Sequence, residues 1–322
     1  MISSPSLPYL LPNEHLISGL VRWFNHTGLN EFRRTCSPYF QNISTLSPMA
    51  AWRPLYSEIA QIYRHTLSPQ QLLSQHSLLN YYYPFFLTKE RAIADEQLLL
   101  NHLDIKIQPG LQKHLRHAHH WRWCSQCVSD DVSQFGGPYW HTYHQIPTML
   151  HCYRHGEVLL AGCESCGFRF TSFDTHWLPP DDSQCPVCQT ELKGQCIPLT
   201  GTVRWLESVS YALQREKSEI TREKFLSWIH DKLGFHTLPS IYSLALRKKL
   251  SRLRLEFTDS LDDELLSLYF REEPSRLRGA TQKLLNIIWV AYRGTSVPPI
   301  SLLLMLRHLG LEHQLTCMLT EQ

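Results

Sequence analysis

Ten cysteines occur in 322 residues, and seven of them crowd between Cys124 and Cys188. They fall into pairs with two residues between partners. Cys124-Ser125-Gln126-Cys127 is followed, after 24 intervening residues, by Cys152-Tyr153-Arg154-His155. Cys163-Glu164-Ser165-Cys166 is followed, after 18 intervening residues, by Cys185-Pro186-Val187-Cys188. Such a pair lets one tight turn aim two ligands at one ion, and a second turn closes a tetrahedron. The spacing therefore predicts two structural Zn²⁺ ions per chain. Site one is Cys124, Cys127, Cys152 and His155; site two, with zinc-ribbon spacing, is Cys163, Cys166, Cys185 and Cys188. Four strong protein ligands at each leave no open position for catalysis. Gly167 and Pro186 suit tight turns. Cys196 falls outside both sets and is left free, while Cys36 and Cys317 lie in apolar helical contexts and read as small buried hydrophobes.

Metal ligation rather than disulfide pairing suits a reducing compartment. No apolar run reaches the ~18 residues that span a bilayer, and no basic region precedes the first apolar residues, so a cytoplasmic protein without membrane association is expected. Charge is nearly balanced, with 31 basic and 29 acidic residues. Any nucleic-acid contact must come from a local patch rather than from the net field. Walker, Rossmann, nucleophile-elbow and H-E-x-x-H signatures are absent, as is the deaminase zinc pattern. Acidic residues are numerous enough to compose a nuclease triad, but Asp130-Asp131 and Asp181-Asp182 read as solvated turns beside the knuckles. The chain is expected not to be an enzyme.

Residue usage divides the chain into three segments: a helical N-terminal domain at 1–110, in which a helix-turn-helix could sit, a zinc-binding module with both sites at 111–196, and a helical C-terminal domain at 197–322. The fold class read from this is mainly α, with a central double zinc-ribbon or zinc-finger module. Asn13 precedes an apolar pattern at Leu16, Ile17, Leu20, Val21 and Phe24. Ser68-Pro69-Gln70-Gln71 carries a capping box with Pro at the first helical position. Thr88 opens a helix towards Leu100. Pro84 is expected to keep the aromatic run Tyr81–Phe86 out of a helix. In the middle segment helix periodicity disappears. Thr221 caps another helix, and short helices follow at about 240–256, 260–270, 275–293 and 299–309, then at the C-terminus.

The densest basic stretch is Arg247, Lys248, Lys249, Arg252 and Arg254, interleaved with Leu244, Leu246, Leu250, Leu253 and Leu255. On one helix it reads either as a solvated face or as a phosphate-contacting face with the leucines turned inward. Arg116, His117, His119, His120 and Arg122 form a second, weaker patch.

The zinc region resembles a known family. Arg122-Trp123-Cys124-Ser125-Gln126-Cys127, Gly137-Pro138-Tyr139-Trp140, His144-Gln145-Ile146-Pro147 and Cys152-Tyr153-Arg154-His155-Gly156 are similar to the TniQ family, which includes the TnsD-type target selectors of prokaryotic transposons. Pro12-Asn13-Glu14-His15-Leu16, Tyr83-Pro84-Phe85-Phe86-Leu87 and the proline-led helix from Pro298 to Gly310 add to the likeness. Ser125 departs from it, since the family usually has Pro there. The resemblance implies a non-enzymatic adaptor that selects transposition targets. Such an adaptor links target DNA, at a fixed site or through an RNA-guided CRISPR surveillance complex, to an AAA+ ATPase regulator of transposition. Homodimerisation is left open. A zinc-dependent DNA-binding transcription regulator is the alternative, and a metal-dependent nuclease the third reading.

Overall fold

The computed structural model describes residues 5–43, 46–48, 50–94, 112–173, 175–238, 243–271 and 284–320. The expected helix ends at 95–100, 240–242 and 275–283 lie outside the described residues. The helices are α1 (Leu16–His26), α2 (Phe32–Cys36), α3 (Pro54–Tyr63), α4 (Pro69–Gln75), α5 (Leu79–Tyr82), α6 (Thr88–Ala92), α7 (Ser125–Phe135), α8 (Gly201–Arg215), α9 (Arg222–Leu233), α10 (Leu244–Asp259), α11 (Asp263–Tyr269), α12 (Ile287–Tyr292), α13 (Pro299–His308) and α14 (Glu312–Thr320). Among the described residues extended pairing is confined to isolated bridges such as Trp123 with Leu160 and Gly162 with Arg169. The protein is mainly α, and none of these helices is long and apolar enough to cross a membrane.

The described residues group into two units. One comprises residues 5–81, 92–94 and 117–216; the other comprises 82–91, 112–116 and residues from 217 onward.

In the first unit, α1 buries Leu16, Ile17, Leu20, Val21 and Phe24 completely. Its cap is His15, not Asn13: the Ile17 N–H donates to His15 Nδ1 at 3.2 Å, while Asn13 holds a left-handed φ of 57° two residues earlier. Gly19 is required by close approach, because a Cβ there would lie 2.5 Å from the Tyr63 hydroxyl. The capping box of Ser68 and Gln71 forms as expected. The N-terminal turn is sewn to the metal-binding segment. His15 N–H donates to Trp140 O at 2.9 Å, Thr142 N–H to Asn13 O at 2.8 Å, and His76 Nδ1 to Glu14 O at 2.6 Å. Beneath them Trp121, Trp123, Trp140, Phe170 and Phe173 are all buried and pack ring on ring, with Trp140 and Phe170 centroids 5.1 Å apart.

Helix α8 clasps this core. Gln214 donates to Ser74 O and Ser77 O at 3.0 and 2.9 Å. Glu207 accepts from the backbone N–H groups of Leu150 and His151, both at 2.8 Å.

Two expectations are corrected in the local structure. Tyr81–Phe85 is helical: α5 runs into a 3₁₀ turn at Tyr83–Phe85, and Phe86 follows in an extended conformation. Pro84 lies in the first turn of that element, where a missing N–H forfeits no bond. The middle segment also contains a helix, α7. Its buried side chains are Cys127, Val128 and Asp131, so a ligand and a carboxylate occupy the inner face and no apolar period is visible. Gly136 ends it in the left-handed region, φ 80°.

In the second unit, Thr221 caps α9 through the Lys224 N–H, and Phe225 stacks on Phe85 at 5.2 Å. Tyr83 lies between two cations, Arg91 at 4.4 Å and Lys217 at 4.3 Å. His230 stacks on Tyr292 at 4.4 Å. Residues 299–306 of α13 are buried without exception, so the proline-led apolar helix forms the centre of this unit.

The cap of α1 makes the first unit acid-sensitive. His15 is fully buried, edge-on to Tyr56 and Trp121 at 5.2 and 5.0 Å. Burial first, then the neighbouring Arg53 and His76 charges, hold its pKa down at about 3. In the unfolded chain the value is ~6.5. The unfolded state therefore binds a proton that the folded state refuses. This contribution to stability is complete above pH ~6.5 and falls as pH drops towards about 3, by up to ~1.4 kcal/mol per pH unit. His15→Asn keeps a capping oxygen and removes the titration. Urea midpoints measured from pH 7 to pH 4 should fall less steeply for the variant, by about one proton's worth. An unchanged slope would place the acid sensitivity elsewhere.

Candidate metal centres and basic helix

The eight predicted ligands converge in two groups, Cys124, Cys127, Cys152 and His155, and Cys163, Cys166, Cys185 and Cys188, with the ligand atoms of each group within 4.8 Å of one another. A tetrahedron with metal–sulfur bonds of ~2.3 Å has sulfur–sulfur edges of about 3.8 Å and slightly shorter sulfur–nitrogen edges. Site one matches: Cys127 Sγ to Cys152 Sγ is 3.6 Å, and His155 Nδ1 stands 3.5, 3.4 and 3.7 Å from the sulfurs of Cys124, Cys127 and Cys152. Site two matches likewise, with 3.6 Å from Cys163 to Cys188 and from Cys166 to Cys185. The residues present fit a tetrahedral metal ion at both positions.

Three of the four ligand pairs share one turn. Gly156, Gly167 and Gln189 each follow the second ligand with φ of 70°, 73° and 61°, and their N–H groups return to the carbonyls of Cys152, Cys163 and Cys185 at 2.8, 3.0 and 2.9 Å. The Cys124 pair is different and corrects the tight-turn reading. Cys124 is the N-cap of α7, and Cys127 lies in its first turn. Ser125 therefore stands at the first helical position. Proline is favoured there because its fixed φ fits and the N–H has no helical partner. That accounts for the family's usual residue and for the tolerance of serine.

The family model described as TniQ matches residues 5–159. Over that span the chain is similar to the TniQ family. No curated protein matches it. The TniQ match ends after site one, so site two and α10 lie beyond it.

Within the TniQ region, sequence reasoning misplaced the acidic pair. Asp130 and Asp131 are not solvated turns but sit on α7. Asp130 Oδ2 lies 3.2 Å from His155 Nε2, behind the ligating ring, and accepts from Arg154 at 3.2 Å. A carboxylate in that position fixes the orientation of a metal-bound imidazole. Asp131 is buried and accepts from His141 Nε2 at 2.8 Å. A second histidine, His144, brings Nε2 to 3.5 Å from Cys152 Sγ and 3.8 Å from Cys127 Sγ. A helix assignment at 125–135 would have placed Asp131 one turn after Cys127, on the same inner face. Asp181 and Asp182 are exposed in a loop, as expected.

The two sites differ in depth. Cys124, Cys127 and Cys152 are at most 2% exposed, whereas Cys166 and Cys188 are exposed. Cys196 is exposed and outside both groups. Cys36 is buried as read, and burial pushes its thiol up to about 12. Cys317 is not: it is half-buried, with Sγ 3.0 Å from His313 Nδ1.

The basic stretch forms α10, capped by Ser243. All five cations are exposed, but they do not share one face. At 100° per residue, Arg247 and Arg254 lie about 20° apart, while Arg247 and Lys249 lie about 160° apart. Leu250 is buried and Leu246 and Leu253 half-buried, whereas Leu244 and Leu255 face solvent at 69% and 53% exposure. Lys249 Nζ sits 4.7 Å over the Phe235 ring, and Arg252 is paired with Glu256 at 2.7 Å. Arg247 and Arg254 instead line a groove of about 380 Å³ against α12, together with Asn286, Trp289 and Arg293. The described residues lining it include no acidic side chain. Arg293 is the cation that sequence reasoning missed, because it lies 39 positions beyond Arg254.

Arg122 does not join the second basic patch. Arg122 is 1% exposed, and its guanidinium donates to the carbonyls of Met149 and Ile146. Arg116 donates to Ser267 O at 2.9 Å.

Proposed function

We propose that this chain is a non-enzymatic target-selection adaptor of a transposition system. In this reading both centres hold structural Zn²⁺. Three thiolates with an imidazole, and four thiolates, are the donor sets zinc favours, and four protein ligands leave it no open coordination position. When bound, zinc would supply rigidity rather than chemistry. The observation that carries the reading is the TniQ match over residues 5–159, which spans the N-terminal helices and ends just past His155. The partners are target DNA, directly or through an RNA-guided complex that supplies sequence by pairing, and an AAA+ ATPase that answers to the bound adaptor. The test mixes purified full chain, target-bearing DNA and the AAA+ ATPase of the same mobile element. The ATPase should be retained on DNA only when the adaptor is present. DNA binding without ATPase recruitment would favour a transcription regulator instead.

Phosphate contact is assigned to Arg247, Arg254 and Arg293 rather than to all five α10 cations, because these three line one groove without an opposing carboxylate. Reversing all three to Glu should weaken DNA association about equally for all sequences. It should also lower the slope of log affinity against log salt by about 2–3, since each lost phosphate contact removes roughly one released counterion. Lys248→Glu with Lys249→Glu serves as the comparison and should change the slope less. Equal effects of the two sets would return the contact to a diffuse field.

A further inference from the structure

Site one poses an electrostatic problem that site two does not. A divalent ion with three thiolates and a neutral imidazole carries a net negative charge, and here the sulfurs are sealed from water, with Cys124, Cys127 and Cys152 at 0%, 1% and 2% exposure. Buried charge is costly unless hydrogen bonds replace the lost hydration. At site two Cys166 and Cys188 reach solvent, so water can serve. At site one a protein N–H must.

His144 supplies that N–H. It lies in the 3₁₀ turn Tyr143–Gln145 and is 1% exposed. The ring is sealed from water, so an N–H on it must find its acceptor within the protein. Its Nδ1 is buried with no hydrogen-bond partner, while Nε2 faces the sulfurs of Cys152 and Cys127 at 3.5 and 3.8 Å. The proton therefore belongs on Nε2, aimed at the edge between two ligands. The ring is held from behind: it lies 4.8 Å from the ring of His141, and His141 is stacked on Tyr139 at 4.2 Å and bonded to Asp131 of α7, the helix that also carries Cys127. His144 is not within reach of all four ligand atoms, so it is no fifth ligand.

We propose that His144 is a positioning residue of site one, donating its Nε2–H to the Cys127 and Cys152 thiolates and so holding both sulfurs on the metal. This rests on the reading that site one binds a metal, and the experiment separates the two. Full-length wild type is first loaded with Co²⁺; about two equivalents, with tetrahedral thiolate bands, establish both sites, and one equivalent or none sinks the metal reading itself. His144→Phe is expected to shift part of the thiolate-to-cobalt charge-transfer absorption to longer wavelength, because an unbonded thiolate is the better electron donor. It should also weaken retention of one equivalent against a chelator by about 10–100-fold. His144→Gln, which keeps an N–H donor, should stay near wild type in both. Wild-type behaviour of His144→Phe, or an equal loss in His144→Gln, overturns the proposal. Should His144→Phe fail to fold, ¹⁵N-histidine spectra of metal-loaded wild type decide: His144 must be the Nε2–H tautomer, and an Nδ1–H tautomer overturns it.

Discussion

Cys152→Ser is expected to unfold the first unit. Structural zinc in small sites contributes ~10–16 kcal/mol of binding free energy that is also folding free energy, and a domain's whole stability is only ~5–15 kcal/mol. Cys152 is 2% exposed. Its N–H donates to Glu157 O at 2.7 Å, and its sulfur shares edges with Cys127 and His155. Losing it releases α7 at Cys127 and the loop that Glu207 anchors. Near-ultraviolet circular dichroism should lose its tertiary signal, and the metal content should fall below two equivalents. Cys188→Ser is the contrast: that ligand is exposed, so one equivalent should be lost while a cooperative melt remains. A Cys152→Ser protein that melts like wild type would show that site one does not hold the fold.

The next largest effect is expected from a residue that is no ligand. Gly162 has φ 147°, and a Cβ there would meet the backbone oxygen of Phe168 at 2.0 Å and Arg169 Cδ at 2.7 Å. The obstruction is backbone, so it cannot swing away. That same oxygen accepts from the Cys163 N–H at 2.9 Å and closes the hairpin presenting Cys163 and Cys166. Gly162→Ala should cost about 3–4 kcal/mol, which corresponds to a fall in melting temperature of roughly 10 °C for a unit of this size. Site two should lose its metal first. Two retained equivalents with an unshifted melt would refute the steric argument.

Zinc removal should follow the same order of depth. A mild chelator is expected to strip the exposed site two before the sealed site one, with the cooperative melt persisting until the second equivalent leaves.

What could be read from the sequence is what is decided within a few residues. Ligand pairs were legible because two intervening residues fix a turn by local sterics, and nothing distant is needed to aim both sulfurs. Ser68 and Thr221 were legible as caps because a cap's partner lies three residues away. The mainly helical class followed from apolar periods such as that of α1. The tertiary structure alone decided the rest, since the partners are far apart in the chain. His144 meets Cys127 from 17 residues away, and Glu207 reaches His151 from 56. Asp130 and Asp131 looked like solvated turns because α7 turns a ligand and a carboxylate inward, which leaves no apolar rhythm to detect. The basic helix looked uniform because its sequence is. Only packing divides its cations, setting Arg247 and Arg254 beside Arg293 and sending Lys249 over Phe235. Spacing along a chain fixes which groups can share a turn; which charges share a face depends on what the rest of the chain lays against them.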